Sequence, residues 1–174
     1  GAANSNVTVN VTGTGPVDFN GGAPTETFVG SSGDDDIRGG AGNDILTGGA
    51  GGDALSGGAG NDVFVIANGD SLFANPDVIA DFQTGLDDID LPSLDDVQIA
   101  NGTALTFANM VTAANAFMTG GDNDLYVAWN ANGSGDAWAF FDSNGNGSWD
   151  QATDTFIVLT GINLAAEIAV GHFI

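Results

Sequence analysis

Asp35, Asp44, Asp53 and Asp62 recur at intervals of nine residues, and each is followed two places later by an apolar side chain: Ile37, Leu46, Leu55 and Phe64. Carboxylates repeated at a fixed interval can gather hard oxygen ligands around cations. They sit in four units in register, GSSGDDDIR (30–38), GGAGNDILT (39–47), GGAGGDALS (48–56) and GGAGNDVFV (57–65), with Gly33, Gly42, Gly51 and Gly60 at position four. One unit upstream, GGAPTETFV (21–29) keeps the frame with Glu26 at position six and Phe28 at position eight, although Pro24 interrupts its turn.

The spacing implies the elements that must carry these residues. The last three positions of each unit are expected to form a very short strand with position eight pointing inward. The first six form a turn, in which glycine reaches backbone angles that other residues avoid. Two units complete one coil of a flattened helix, so turns two units apart stack on one edge. Asp35 then lies over Asp53, and Asp44 over Asp62. Stacked carboxylates repel unless a cation lies between them. Ca²⁺ suits the place, because it takes six to eight oxygens, backbone carbonyls included.

The composition agrees. Among 174 residues there are 23 acidic side chains, one basic one (Arg38) and one His, for a formal charge of −22. Self-repulsion of this size opposes a compact state, yet 43% of the residues are hydrophobic, enough for a core. Counter-charge must come from outside. Nucleic acid is excluded as a partner because its phosphates need Lys and Arg, and anionic membrane surfaces are disfavoured likewise. No apolar run approaches the ~18 residues of a membrane span, so no membrane insertion is expected. The absence of Cys rules out disulfides and thiolate metal sites and is compatible with an extracellular location. There is no signal-peptide pattern at the N-terminus, and the chain reads as a fragment of a larger protein.

The tandem nonapeptides strongly resemble the calcium repeats of the RTX (repeats-in-toxin) family and its parallel β-roll. The resemblance implies that each Ca²⁺ is held by the position-six carboxylates of two stacked turns, Asp35 with Asp53 and Asp44 with Asp62. Backbone oxygens of the turns complete the implied set: Gly30 and Ser32; Gly39, Gly40, Ala41 and Gly42; Gly48, Gly49, Ala50 and Gly51; Gly57, Gly58, Ala59 and Gly60. Ser31 stands where the family has a second Gly. The segment NPDVIADFQTGLDDIDL (75–91) is similar to the one that closes the β-roll of serralysin-type proteases, on Asp77, Ile79, Asp81 and Phe82 and then Gly85, Asp87, Ile89, Asp90 and Leu91. That similarity implies that Asp77 or Asp81 ligates the last ion; otherwise the two cap strand ends.

Outside the repeats, VTVNVT (7–12) alternates as a strand does. FANMVTAANAFMTGG (107–121) reads as one amphipathic helix burying Phe107, Met110, Val111, Ala114, Phe117 and Met118 and stopped by Gly120-Gly121. DLYVAWN (124–130) and DAWAFFD (136–142) read as strands joined by the hairpin ANGSG. DSNGNGSWDQATD (142–154) places Asp142, Asn144 and Asn146 in the alternation of a DxDxDG loop, with the Ser148 carbonyl and Asp150 as further oxygens, which makes a second kind of Ca²⁺ site. Position twelve is Thr153, with Asp154 one place late. The competing reading is an Asn/Gly β-turn. A short helix is expected at 164–168, before the apolar finish Gly171-His172-Phe173-Ile174. That finish is similar to C-terminal signals for type I secretion but lacks their acidic residue.

Catalysis is not expected. His172 has no partner motif, HExxH is absent, and there is neither a Cys nucleophile nor a Lys. The expected fold is mainly β: an N-terminal strand or cap (1–20), a short parallel β-roll with its closing segment (21–91), and a small α+β part with antiparallel strands and one helix (92–174). The expected function is a calcium-binding module that folds on Ca²⁺ outside the cell and presents a C-terminal signal to a type I exporter. The alternative is an extracellular structural module that self-associates or sits on the cell surface through Ca²⁺.

Overall fold

The computed structural model describes residues 6–83, 86–91, 94, 96–100, 107–118, 124–129, 136–162, 171 and 173–174. The hairpin 131–135, Gly85, Gly120-Gly121, the helix expected at 164–168 and His172 lie outside these residues.

The chain winds between two parallel sheets. Strands β1 (Val7–Asn10), β3 (Glu26–Val29), β5 (Ile45–Thr47), β7 (Val63–Val65) and β9 (Asp88–Asp90) stack in that order as one sheet. Strands β2 (Asp18–Asn20), β4 (Asp36–Ala41), β6 (Ala54–Ala59) and β8 (Asp77–Ile79) form the facing sheet. Each strand pairs with the one a full coil away: Leu46 aligns with Phe28 and Phe64, and Leu55 with Ile37 and Ile79. All of these position-eight side chains are buried to within 1% of complete. They form two internal columns, one per sheet, and each fully buried aliphatic or aromatic side chain contributes about 1.5–3 kcal/mol.

Stacking starts earlier than the acidic repeats. β1 and β2 are rungs of the same two sheets, paired with β3 and β4. Gly13, Gly15, Val17 and Phe19 occupy positions two, four, six and eight of a further unit, 12–20, whose position six carries no carboxylate. The Phe19 ring stacks on Phe28 with centroids 4.2 Å apart.

The strands also differ in length on the two sides. β5 and β7 span three residues, as the repeat predicts, whereas β4 and β6 run for six and carry their pairing into the turn, through Gly40↔Gly58 and Ala41↔Ala59.

The second sheet does not end with the roll. β8 pairs in parallel with β13 (Thr155–Leu159), which continues antiparallel to β12 (Ala137–Phe141) and β11 (Asp124–Trp129); β10 (Asp96–Ala100) then pairs in parallel with β11. Eight strands thus form one sheet across the expected boundary near residue 91. Helix α1 (Phe107–Phe117) covers this extension, with Met110, Ala114 and Met118 in a cluster with Tyr126, Phe140, Trp149 and Phe156. At the other end, Phe173 bridges Ile89, and Ile174 exchanges backbone hydrogen bonds with Ile89 and Leu91, so the C-terminus adds to the first sheet beside β9.

Candidate metal centre

The position-six carboxylates form two ladders, one on each edge of the roll. On one edge the Asp35 amide donates to Asp53 Oδ1 at 2.8 Å and the Asp53 amide to Asp77 Oδ1 at 3.0 Å. On the other, the Glu26 amide donates to Asp44 Oδ1, the Asp44 amide to Asp62 Oδ1 and the Asp62 amide to Asp87 Oδ1, at 2.8, 2.8 and 3.0 Å. The structure therefore stacks Asp35 on Asp53 and Asp44 on Asp62. It adds Asp77 and Asp87 as further rungs and brings in Glu26.

These bonds occupy Oδ1 of each aspartate, and Glu26 Oε1 accepts from the Gly22 amide at 3.3 Å. In five of these acids the other oxygen is left over: Asp44 Oδ2, Asp53 Oδ2, Asp62 Oδ2, Asp77 Oδ2 and Glu26 Oε2 are all buried without a hydrogen-bond partner. A buried charged oxygen without a partner costs more than a lost hydrogen bond, so five of them in two columns call for a shared counter-charge. Burial holds the Asp77 carboxyl up at about 8 and those of Asp53 and Asp62 at about 6, with neighbouring carboxylates adding to each rise. Glu26 is raised by burial and by its contact with Asp44.

The turns supply carbonyl oxygens to the same gaps. A Cβ on Gly49 or Gly58 would collide with the carbonyl of Ser31 or Gly40 above it, and one on Gly42 with that of Pro24. On Gly60 it would strike the Gly42 carbonyl, and on Gly51 it would lie 3.0 Å from that of Gly33. On Gly39 it would lie 2.8 Å from the Gly57 carbonyl below, and on Gly30 it would collide with that of Gly48. The carbonyls thus face the neighbouring turn so closely that only glycine fits. Gly40, Gly49 and Gly58 hold φ near +100°, which is also glycine's territory. Among the described residues no three Asp, Glu or His side chains converge on one point. A cation held here would draw most of its oxygens from the backbone, as Ca²⁺ readily does. The donor set fits that ion.

Of the remaining candidates, Ala41 and Ala59 lie at the ends of β4 and β6; the Ala41 amide donates to the Gly22 carbonyl, and the Ala59 carbonyl accepts from Gly42. Ala50 is exposed at its turn, and Ser32 donates from its amide and hydroxyl to the Gly13 carbonyl. Asp77 and Asp81 take different places. Asp77 is a rung. Asp81 accepts from Ser56 Oγ and from the amides of Gly57 and Gly58, at 2.7–3.0 Å, capping the corner of β6. Asp70 was not singled out by the repeat. Burial raises its carboxyl, and its charge in turn raises Asp53 and Asp77. Its only signal in the sequence is a position eight residues beyond Asp62.

The loop 142–154 closes on itself. Asp142, fully buried, accepts from the amides of Asn146 and Gly147 at 3.2 and 2.7 Å. Asn146 Oδ1 accepts from the amide and hydroxyl of Ser148. Asn144 reaches Asp154, which also accepts from the Asp150 amide and is itself completely buried. Burial raises the Asp154 carboxyl. Asp150, by contrast, is exposed and accepts from the Ala152 amide. The inward acid opposite Asp142 is therefore at position thirteen. The Trp149 amide ties the loop to α1 through Asn115 Oδ1 at 2.6 Å.

The family model for the peptidase M10 serralysin C terminal matches residues 5–167. Two solution structures from the Azotobacter vinelandii mannuronan C5-epimerase are similar in fold. The AlgE6R2 subunit has a TM-score of 0.57 at 22% identity, covering 99% of this chain and 94% of that one. The AlgE6R3 subunit has a TM-score of 0.54 at 24% identity, covering 93% and 80%. No curated protein sequence matches this chain.

Proposed function

This chain belongs to the peptidase M10 serralysin C-terminal family, whose RTX-type β-rolls bind calcium, and we propose that it is the calcium-folded, non-catalytic module of a larger exported protein. The observation that carries this reading is the set of five buried carboxylate oxygens without partners. We assign Asp53 and Asp77 on one edge, and Glu26, Asp44 and Asp62 on the other, as the side-chain ligands, with the turn carbonyls between them. The charge of Asp70 bears on both Asp53 and Asp77, and it joins them as an outer carboxylate; Asp142 with Asp154 forms the acidic pair of a separate loop site.

Calcium, when bound, supplies the positive charge that these stacked carboxylates lack. Without it the glycine-rich turns must hold acids together in a dry interior, where burial and mutual repulsion disfavour their charged forms, and binding energy becomes folding energy. In a cytosol poor in calcium the roll stays unfolded and can thread a type I exporter; outside the cell it folds. The tail supports this order of events. Phe173 and Ile174 are held against β9 in the folded chain, so the C-terminus is free for an exporter only while the roll is open.

Circular dichroism during a Ca²⁺ titration of chelated protein, with Mg²⁺ as control, tests the reading. A cooperative gain of β signal with Ca²⁺ alone is expected. A fold already complete in chelator would overturn it. Export of a passenger fused to the chain should fail when residues 162–174 are deleted; unaffected export would remove the secretion role and leave the calcium role standing.

A further inference from the structure

The turn 30–35 differs from the turns below it. Asp35 is 3% exposed and occupies position six like Asp53 and Asp62, yet both of its oxygens have partners. Oδ1 accepts from the Val17 amide at 2.7 Å, the bond that every rung makes with the turn above. Oδ2, the oxygen left bare in Asp44, Asp53 and Asp62, accepts from the Ser31 amide at 2.7 Å. The Ser31 hydroxyl lies 3.1 Å from Asp35 Oδ1, donates to the Gly15 carbonyl at 2.8 Å and accepts from the Gly33 amide at 3.0 Å. Ser31 is itself 8% exposed, and it stands at position two, where the three following units carry Gly.

We propose that Ser31 takes the place of an ion in the first gap of this edge, so that the ladder of bound cations begins one turn later. The hydroxyl links a carbonyl of the turn above to the carboxylate region of the turn below, which is the link a cation would otherwise make. The turn above explains why a plug is needed. Its position six is Val17, which offers no carboxylate, so an ion there would have one charged ligand fewer than an ion between Asp53 and Asp77. Ser31 satisfies Asp35 within the chain: its amide takes Oδ2, and its hydroxyl, fixed between Gly15 and Gly33, holds that amide in place, which leaves the first coil independent of metal. The opposite end of the other ladder is closed in a similar way: Asp87, its last rung, has Oδ1 bound by the Asp62 amide and Oδ2 by the Gln83 amide at 2.7 Å.

This inference rests on the calcium reading, and counting ions separates the two. Native mass spectrometry of the full chain in saturating Ca²⁺ should show at least one ion fewer in Asp53→Asn than in the wild type, and the wild-type number in Asp35→Asn. Ser31→Gly restores the glycine of the other turns and should bind one ion more, which is lost again when Asp35→Asn is added. A wild-type chain that binds no Ca²⁺ overturns the calcium reading itself. A calcium-binding wild type whose count falls in Asp35→Asn, or is unchanged in Ser31→Gly, overturns the plug alone. Should Ser31→Gly fail to fold, the contrast between Asp35→Asn and Asp53→Asn still decides.

Discussion

The Asp53 amide donates to Asp77 Oδ1 across 24 residues of chain, where the earlier rungs of the same ladder are 18 apart. The added residues lie in the loop 67–76, and Ser71 anchors it: its hydroxyl accepts from the Asp77 amide at 2.7 Å and donates to the Phe156 carbonyl at 2.5 Å. The ladder therefore continues through a different sequence, and the loop that lengthens the step also fastens the roll to β13.

Removing a rung should be felt above as well as at the missing carboxylate. Asp53→Ala leaves the buried Asp35 amide without its acceptor, a loss of about 1–3 kcal/mol. For a domain of this size that is roughly 2–4 °C of Tm per kcal/mol. In limiting Ca²⁺ the loss should be larger, because an ion ligand goes too. Asp77→Ala should behave in the same way. Calorimetry at limiting and saturating Ca²⁺ checks this, and equal melting of variant and wild type in both would remove the residue from the ligand set.

Acid should partly replace the metal. Asp77 is held at about 8 and Asp53 and Asp62 at about 6 by burial, all above the ordinary carboxylate value. A folded chain that holds protons more tightly than the unfolded one is stabilised at low pH, and that stability is lost as pH rises through 6 and then 8. In chelator, where the roll is open at neutral pH, the β signal should therefore be greatest at about pH 4–5 and fall as pH rises to about 8. In saturating Ca²⁺ the fall should vanish or reverse, since ion binding requires the deprotonated carboxylates. A chelated protein whose circular dichroism does not change over that range would contradict the burial of these acids.

Glycines that look alike in the sequence should differ in tolerance. Gly58 holds φ +96° and its missing Cβ faces the Gly40 carbonyl, whereas Gly69 holds φ +81° with nothing within 4 Å. Gly69→Ala should cost only backbone strain, about 1–3 kcal/mol. Gly58→Ala should cost more and lower Ca²⁺ affinity, because the turns must part. Urea denaturation with a Ca²⁺ titration for each variant distinguishes them; equal losses would mean that the stack is looser than described.

In the loop 142–154 the buried acid should matter and the exposed one should not. Asp154→Ala strands the Asp150 amide and the Asn144 amide group, at a cost of about 1–3 kcal/mol. Asp150→Ala should stay within about 0.5 kcal/mol, as exposed positions do. Thermal melts of the two variants in saturating Ca²⁺ give the comparison, and the reverse order would restore Asp150 as the inward acid.

What could be read from the sequence was what repeats in side-chain identity. Asp44, Asp62, Leu46 and Phe64 announce their register because the frame returns every nine residues. Two kinds of rung escape that test. Asp77 and Asp87 fill the same place after connections of 24 and 25 residues, which a fixed period passes over. Unit 12–20 keeps the glycines and Phe19 but has Val17 where the acid belongs, so its backbone repeats while its chemistry does not. The state of Asp35 was hidden for another reason: the Ser31 amide takes the oxygen that is free in the other rungs, and spacing carries no record of hydrogen bonds. Asp154 falls one place beyond a twelve-residue template, which points to Thr153 instead.

A periodic ladder has an ambiguity built into it. Slide one edge by 18 residues and Asp44 would meet the partners of Asp62 with almost the same contacts, so a folding chain could settle a whole coil out of step. The two finished rungs break that symmetry. Asp35 is complete only beneath Gly15 and beside Ser31, and Asp87 only beside Gln83, so a slipped chain would leave these acids in gaps that do not match them. The ends of the roll thus act as start and stop marks, telling otherwise interchangeable coils which one they are.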